Sequence, residues 1–211
     1  MNQNSEENMI SNKEEEMNQV EKHQTFQFSV NTYAFIRKKQ FFQVSQIAMK
    51  MFDDMIYVGN ATKDKHIIMN IIDSKTSQKI GHISHSDTGA FCLYSNDSSL
   101  FANAIISYSS TSDAPRIWNV SFLKGTETFP KTEVELKSRL PTKTSKGQYI
   151  LFFGGRLAIP SIKNCTLIQQ NTKEEVIGIR KTDKDIIEVD ARNDYTPIQI
   201  FFLGAIAFLS K

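Results

Sequence analysis

The stretch DYTPIQIFFLGAIAFLS, from Asp194 to Ser210 just before the terminal Lys211, limits what this chain can fold into more than any other segment. From Pro197 to Leu209 nearly every position is apolar and none is charged. A helix apolar on all sides has no face for water and must be enclosed. Thirteen residues give about 20 Å of helix, whereas a bilayer core of about 30 Å takes about twenty residues. The segment is therefore expected to be a helix buried inside the protein, wrapped by the rest of the chain. Its eight large side chains (Ile198, Ile200, Phe201, Phe202, Leu203, Ile206, Phe208 and Leu209) contribute roughly 1.5–3 kcal/mol each when fully buried. Asp194 or Thr196 can cap the helix, and Pro197 suits a first turn that needs no backbone donor.

The wrapping is legible upstream. From Thr25 the chain runs in short segments dense in Phe, Ile, Val and Tyr, broken by polar or glycine-containing turns such as Gly59-Asn60, Ser95-Asn96-Asp97, Lys146-Gly147 and Gly154-Gly155. The strands expected are 26–36, 41–49, 55–58, 67–72, 79–84, 91–94, 102–108, 118–122, 132–136, 149–153, 161–168, 175–180 and 186–189. Strands this short and closely spaced indicate an antiparallel sandwich or barrel. A wide closed barrel has no edges, and its interior is too large for its own side chains to fill, so the apolar helix fits there. The fold class expected is mainly β: a closed antiparallel barrel of about twelve strands around a central C-terminal helix.

The 211 residues suit one substantial domain. Residues 1–24 hold six glutamates against two lysines and no aromatic residue, and read as a disordered acidic tail ahead of a barrel domain at 25–211. The tail carries −4, so the remainder carries +6 of a net +2. That mild basic excess is compatible with an anionic partner. Two cysteines far apart, Cys92 and Cys165, and no export signal indicate reduced thiols and a cytoplasmic location.

Several stretches resemble, in order, the C-terminal domain of tubby and tubby-like proteins. They are KIGHISHSDTGAFCLYSND (79–97), APRIWNVSF (114–122), GQYILFFGGRLAIPSIKNCTLI (147–168), a strand pair through Asp190, and the terminal segment. The third is the most specific, with Tyr149, Phe153, Gly155, Arg156, Ser161, Lys163 and Asn164 at family positions. The resemblance implies a barrel threaded by its C-terminal helix. It also implies phosphoinositide binding, especially phosphatidylinositol 4,5-bisphosphate, by a peripheral membrane adaptor that delivers cargo to cilia, with no cofactor and no catalysis.

The family's headgroup site uses a basic pair in one loop and an arginine after the Ile-Gly of the next strand. Here Ala61 and Thr62 stand opposite the pair, with Lys63 and Lys65 immediately after; after Ile80-Gly81 the matching positions are His82 and Ser84, flanked by His85. The expected phosphoinositide site is therefore a displaced and weaker set: Lys63, Lys65, His82 and His85, with Arg37, Lys38 and Lys39 from an earlier turn. Several cations are needed because the ligand carries several phosphate charges. The competing reading is a structural or protein-binding scaffold barrel, for instance in a ciliary assembly, whose basic loops are only solvated. No metal site is expected, since His82 and His85 point to opposite strand faces and a third ligand is missing. Cys92 and Cys165 read as packing, Gly154-Gly155 as a turn, and Trp118 with Phe122 as core. Nucleic acid is not an expected partner, because aromatic and basic residues do not interleave.

Overall fold

A computed structural model describes residues 29–40, 43–64, 66–108, 115–125 and 133–210. The N-terminal tail, Lys65 and Lys211 lie outside the described residues, as do the first residues of the expected strands 26–36, 41–49 and 132–136. In chain order the strands are β1 Val30–Gln40, β2 Gln43–Met51, β3 Asp54–Ala61, β4 Ile67–Asp73, β5 Lys79–His85, β6 Phe91–Ser95 and β7 Leu100–Ser107. They continue with β8 Ile117–Phe122, β9 Val134–Ser138, β10 Thr142–Lys143, β11 Tyr149–Ile150, β12 Cys165–Gln169, β13 Glu175–Asp183 and β14 Ile186–Arg192. A single described helix, α1, spans Pro197–Leu209.

Twelve strands close an antiparallel barrel in the order β1-β14-β13-β12-β9-β8-β7-β6-β5-β4-β3-β2. The closing pair is β1 with β14, in a register that sets Tyr33 opposite Val189 and Phe35 opposite Ile187. Alternation puts one side chain in two inside: Phe35, Ile47, Met69, Ile83, Leu93, Val120, Leu136 and Leu167 are fully buried. The exception to the expected wall is the segment 149–153. Only Tyr149 and Ile150 are extended there, and they pair with Thr142 and Lys143 in a separate two-stranded hairpin. A few residues after the hairpin, Gly154 and Gly155 turn the chain with φ of 60° and 76°, values that glycine adopts readily.

The helix fills the bore. Phe201 meets Phe35 of β1 at 6.2 Å between ring centroids and Tyr57 of β3 edge-on at 5.9 Å, while Phe202 reaches Phe122 of β8 at 6.4 Å. Opposite walls thus grip adjacent helix residues. Gly204 exists because a Cβ there would overlap the Phe35 ring. The cap is Thr196 rather than Asp194: the Gln199 side chain turns back to accept from the Thr196 backbone N–H at 2.8 Å, while Asp194 is held by Arg192 at 2.6 Å. Cys92 and Cys165 are buried thiols; burial pushes both pKa values up, Cys165 furthest. Neither is poised as a nucleophile.

Candidate functional site: the barrel mouth at the helix C-terminus

The last carbonyls of a helix have no partner within it. In α1 those groups end inside a barrel, where water cannot serve them freely, and side chains do the work. Lys163 donates from Nζ to the carbonyl oxygens of Ala207 at 2.6 Å, Ser210 at 3.1 Å and Phe208 at 3.4 Å. Arg116 donates from Nη1 to Ser210 Oγ at 2.6 Å. The Arg37 guanidinium lies 4.8 Å over the Phe208 ring. Three cations collar the negative end of the helix dipole. Burial first, then the charges of Arg116, Arg37, Lys181 and Lys39, pulls the Lys163 ammonium down from 10.5 to about 7.

Antiparallel order determines which loops share it. Phe35 packs on Gly204 and Arg37 on Phe208, so α1 runs along β1 and ends at its Gln40 end. Alternate strands β3, β5, β7, β9 and β13 run the same way as β1, and their ends at Ala61, His85, Ser107, Ser138 and Asp183 rim the same mouth. The structure therefore brings Arg37, Lys38, Lys39, Lys63 and His85 to one end of the barrel. Lys38, Lys39 and Lys63 are exposed there.

The members are not equivalent. Arg37 is committed to Asp185, donating to Oδ1 from Nη2 at 2.7 Å and from Nε at 2.9 Å, and to the Lys184 carbonyl at 2.9 Å. It is a structural clasp between β1 and the β13–β14 turn. His82 sits three residues below the rim on the outer wall, stacked on Tyr94 at 5.2 Å, whereas His85 tilts against Phe91 at 4.4 Å. The two histidines face opposite ways. Burial holds both below the ordinary imidazole value of 6.5, with Lys79 adding to the effect at His82. The Asp64 carboxylate closes the β3–β4 loop by accepting from the His66 and Ile67 backbone N–H groups at 2.7 and 2.9 Å. Those bonds, Ile67's first, hold its pKa below 3.8.

From the sequence, Arg156 and Lys163 were expected to make structural polar contacts with partners left unnamed, and the structure supplies two sets of them. The first is the Lys163 and Arg116 collar, whose Lys163 acceptors are backbone carbonyls 44 to 47 residues away. The second is a strap, 151–164, laid on the outer wall. Its Arg156 pairs with Asp190, which also accepts from Thr32 Oγ1 at 2.6 Å and from Arg180 Nε at 2.8 Å. Arg180 in turn donates to the Leu157 carbonyl at 2.6 Å and Glu188 at 2.7 Å. Farther along, Asn164 donates to the Ile159 carbonyl at 2.9 Å and accepts from the Lys181 N–H at 2.8 Å. Strap and hairpin enclose a groove of about 960 Å³ lined by Pro115, Pro141, Tyr149, Leu151, Phe153 and Ile162, among others.

Fold and mouth together define the class: a closed twelve-stranded antiparallel barrel filled by its own C-terminal helix, with a cation-rich rim where that helix ends. The chain matches no protein-family model and no curated protein. Among the described residues, no group of three His, Cys, Asp or Glu side chains could hold a metal ion, and no helix is long and apolar enough to cross a membrane.

Proposed function

We propose that the chain is a non-enzymatic tubby-like barrel that binds phosphoinositide headgroups, phosphatidylinositol 4,5-bisphosphate foremost, and acts as a peripheral membrane adaptor in ciliary trafficking. The observation that carries this reading is the placement of Lys38 and Lys39, at the end of β1, and Lys63, in the β3–β4 loop, at one barrel mouth. A helix C-terminus alone would repel phosphate; the Lys163, Arg116 and Arg37 collar offsets that dipole and leaves the exposed rim lysines to meet an anion. Multiple cations in one place suit a ligand with several phosphate charges. The motif resemblance supplies the lipid class and the adaptor role.

Flotation with vesicles containing the bisphosphate, against vesicles of equal charge made with phosphatidylserine, tests it. The triple variant Lys38→Glu/Lys39→Glu/Lys63→Glu should lose about tenfold or more in affinity for the bisphosphate vesicles, since each lysine near an anionic surface contributes about 1 kcal/mol. Equal binding by variant and parent would leave the scaffold reading in its place.

A further inference from the structure

Between Glu135 and Glu174 the chain has no acidic residue, while Lys137, Arg139, Lys143, Lys146, Arg156, Lys163 and Lys173 supply only positive charge. This one-signed segment includes the hairpin and strap that leave the barrel wall between β9 and β12. Arg139, Arg156 and Lys163 are used internally, on Glu175, Asp190 and the helix end. Lys143 and Lys146 form no ion pair among the described residues, and Lys143 lies 5.5 Å from the centre of the Tyr149 ring. Beside them the segment exposes large apolar side chains: Leu157 at 72%, Leu140 at 69% and Ile150 at 51%, with Tyr149, Phe152 and Ile162 also open. Successive residues Tyr149 and Ile150 point to opposite faces of the hairpin, so neither face has a core. A two-stranded hairpin of this kind has little stability of its own in water. The groove below it is lined by Pro115, Ser161 and Asn164, chain neighbours of the Arg116 and Lys163 that hold the helix end, so the hairpin leaves the barrel at the same mouth as the rim, and the strap runs from it down the outer wall.

We infer that this hairpin and strap form a docking face for an anionic bilayer: Leu140, Tyr149, Ile150 and Leu157 enter the interfacial region while Lys143 and Lys146 remain at the level of the lipid phosphates. Apolar side chains flanked by lysines alone match the two attractions a bilayer surface offers, apolar burial and negative potential. A second copy of the chain is disfavoured by the same charge, because a two-fold contact sets this positive face against itself. The inference rests on the membrane reading above but uses different residues. It assigns general anionic-lipid attachment to the hairpin and headgroup preference to the rim.

The test uses the full chain with three vesicle types: phosphatidylcholine alone, phosphatidylcholine with about 30% phosphatidylserine, and the second with a few per cent of the bisphosphate. Lys143→Glu/Lys146→Glu and Leu140→Ser/Ile150→Ser should each lower the partition onto phosphatidylserine vesicles by about tenfold, and onto bisphosphate vesicles by the same factor. The rim triple variant should retain phosphatidylserine binding and lose only the bisphosphate increment. Thermal melting separates misfolding from lost contact: the hairpin lies outside the wall, so Tm should stay within a few degrees of the parent. A second measurement does not depend on charge reversal. Tyr149→Trp should give a blue-shifted emission on adding phosphatidylserine vesicles, against the buried Trp118 background. Unchanged phosphatidylserine binding by both hairpin variants would overturn the inference. So would a concentration-dependent dimer abolished by Leu140→Ser/Ile150→Ser, or the same blue shift produced by a peptide of residues 1–24 without vesicles.

Discussion

Single residues at the helix end carry more of the structure than their chemistry announces. Lys163 stands out in sequence as a motif position whose polar partners are unnamed; in the fold its ammonium donates to two carbonyl oxygens of α1 and to that of the cap residue Ser210. Replacing it with Met would leave those buried acceptors without a donor while keeping the side chain's bulk. An unsatisfied buried polar group costs about 1–3 kcal/mol, so Lys163→Met should lower the urea midpoint by a corresponding amount without changing the slope. Arg37 teaches the opposite lesson about the same mouth. It is a candidate phosphate ligand by type and position, yet its contacts to Asp185 and the Lys184 carbonyl leave its guanidinium occupied. His82 and His85 were placed in one site through the motif resemblance although their spacing puts them on opposite strand faces, and in the fold His82 stacks on Tyr94 while His85 packs on Phe91.

At the scale of elements, α1 was legible because all-round apolarity is a local property: the segment states by itself that it must be surrounded, and the observed span Pro197–Leu209 coincides with the uncharged run. Its fit is a matter of tertiary packing. Gly204 faces Phe35 so closely that a Cβ would overlap the ring, and Gly59 leaves the space taken by Met69 and Phe201. Gly204→Val should therefore destabilise the barrel by about 1–3 kcal/mol or more through overpacking, read as a lowered Tm or loss of soluble protein; an unchanged Tm would mean the helix is not tightly seated. Twelve of the thirteen strand segments read from sequence lie in the wall, with ends shifted by a few residues where bulges such as that at Lys38 and Lys39 extend the pairing. The segment 149–153 misled because Tyr-Ile-Leu-Phe-Phe has the composition of a buried strand. Tyr149 and Ile150 are exposed because they pair with Thr142 and Lys143 in a hairpin outside the barrel sheet.

For the whole molecule, closure through β1 and β14 joins the first described strand to the last, and the helix inside touches walls far apart in sequence. Loop carboxylates at both ends of this barrel are held below their ordinary pKa of 3.8. At Asp64 and Asp73 the largest cause is a backbone N–H bond, from Ile67 and Thr76; at Asp97 it is the Ser95 hydroxyl, at Asp185 Arg37 and at Asp194 Arg192. A carboxylate with a depressed folded pKa contributes stability that is present above its unfolded value, about 3.9, and lost as pH falls through the folded one. Tm should therefore be flat with respect to these groups above about pH 5 and decline as pH falls through their folded values, and Asp185→Asn should flatten part of that acid limb. By itself the sequence determined the enclosed helix, the strand-rich wrapping and a closed barrel as their joint solution, because apolar periodicity and turn chemistry act within a few residues. Only the tertiary structure decided which cations share a mouth, which are already spent and which face stays uncovered. Those outcomes depend on pairs such as Lys163 with Ser210, Arg116 with Ser210 and Arg37 with Asp185, separated by 47, 94 and 148 residues, whose meeting is fixed by strand order and barrel closure rather than by any local pattern.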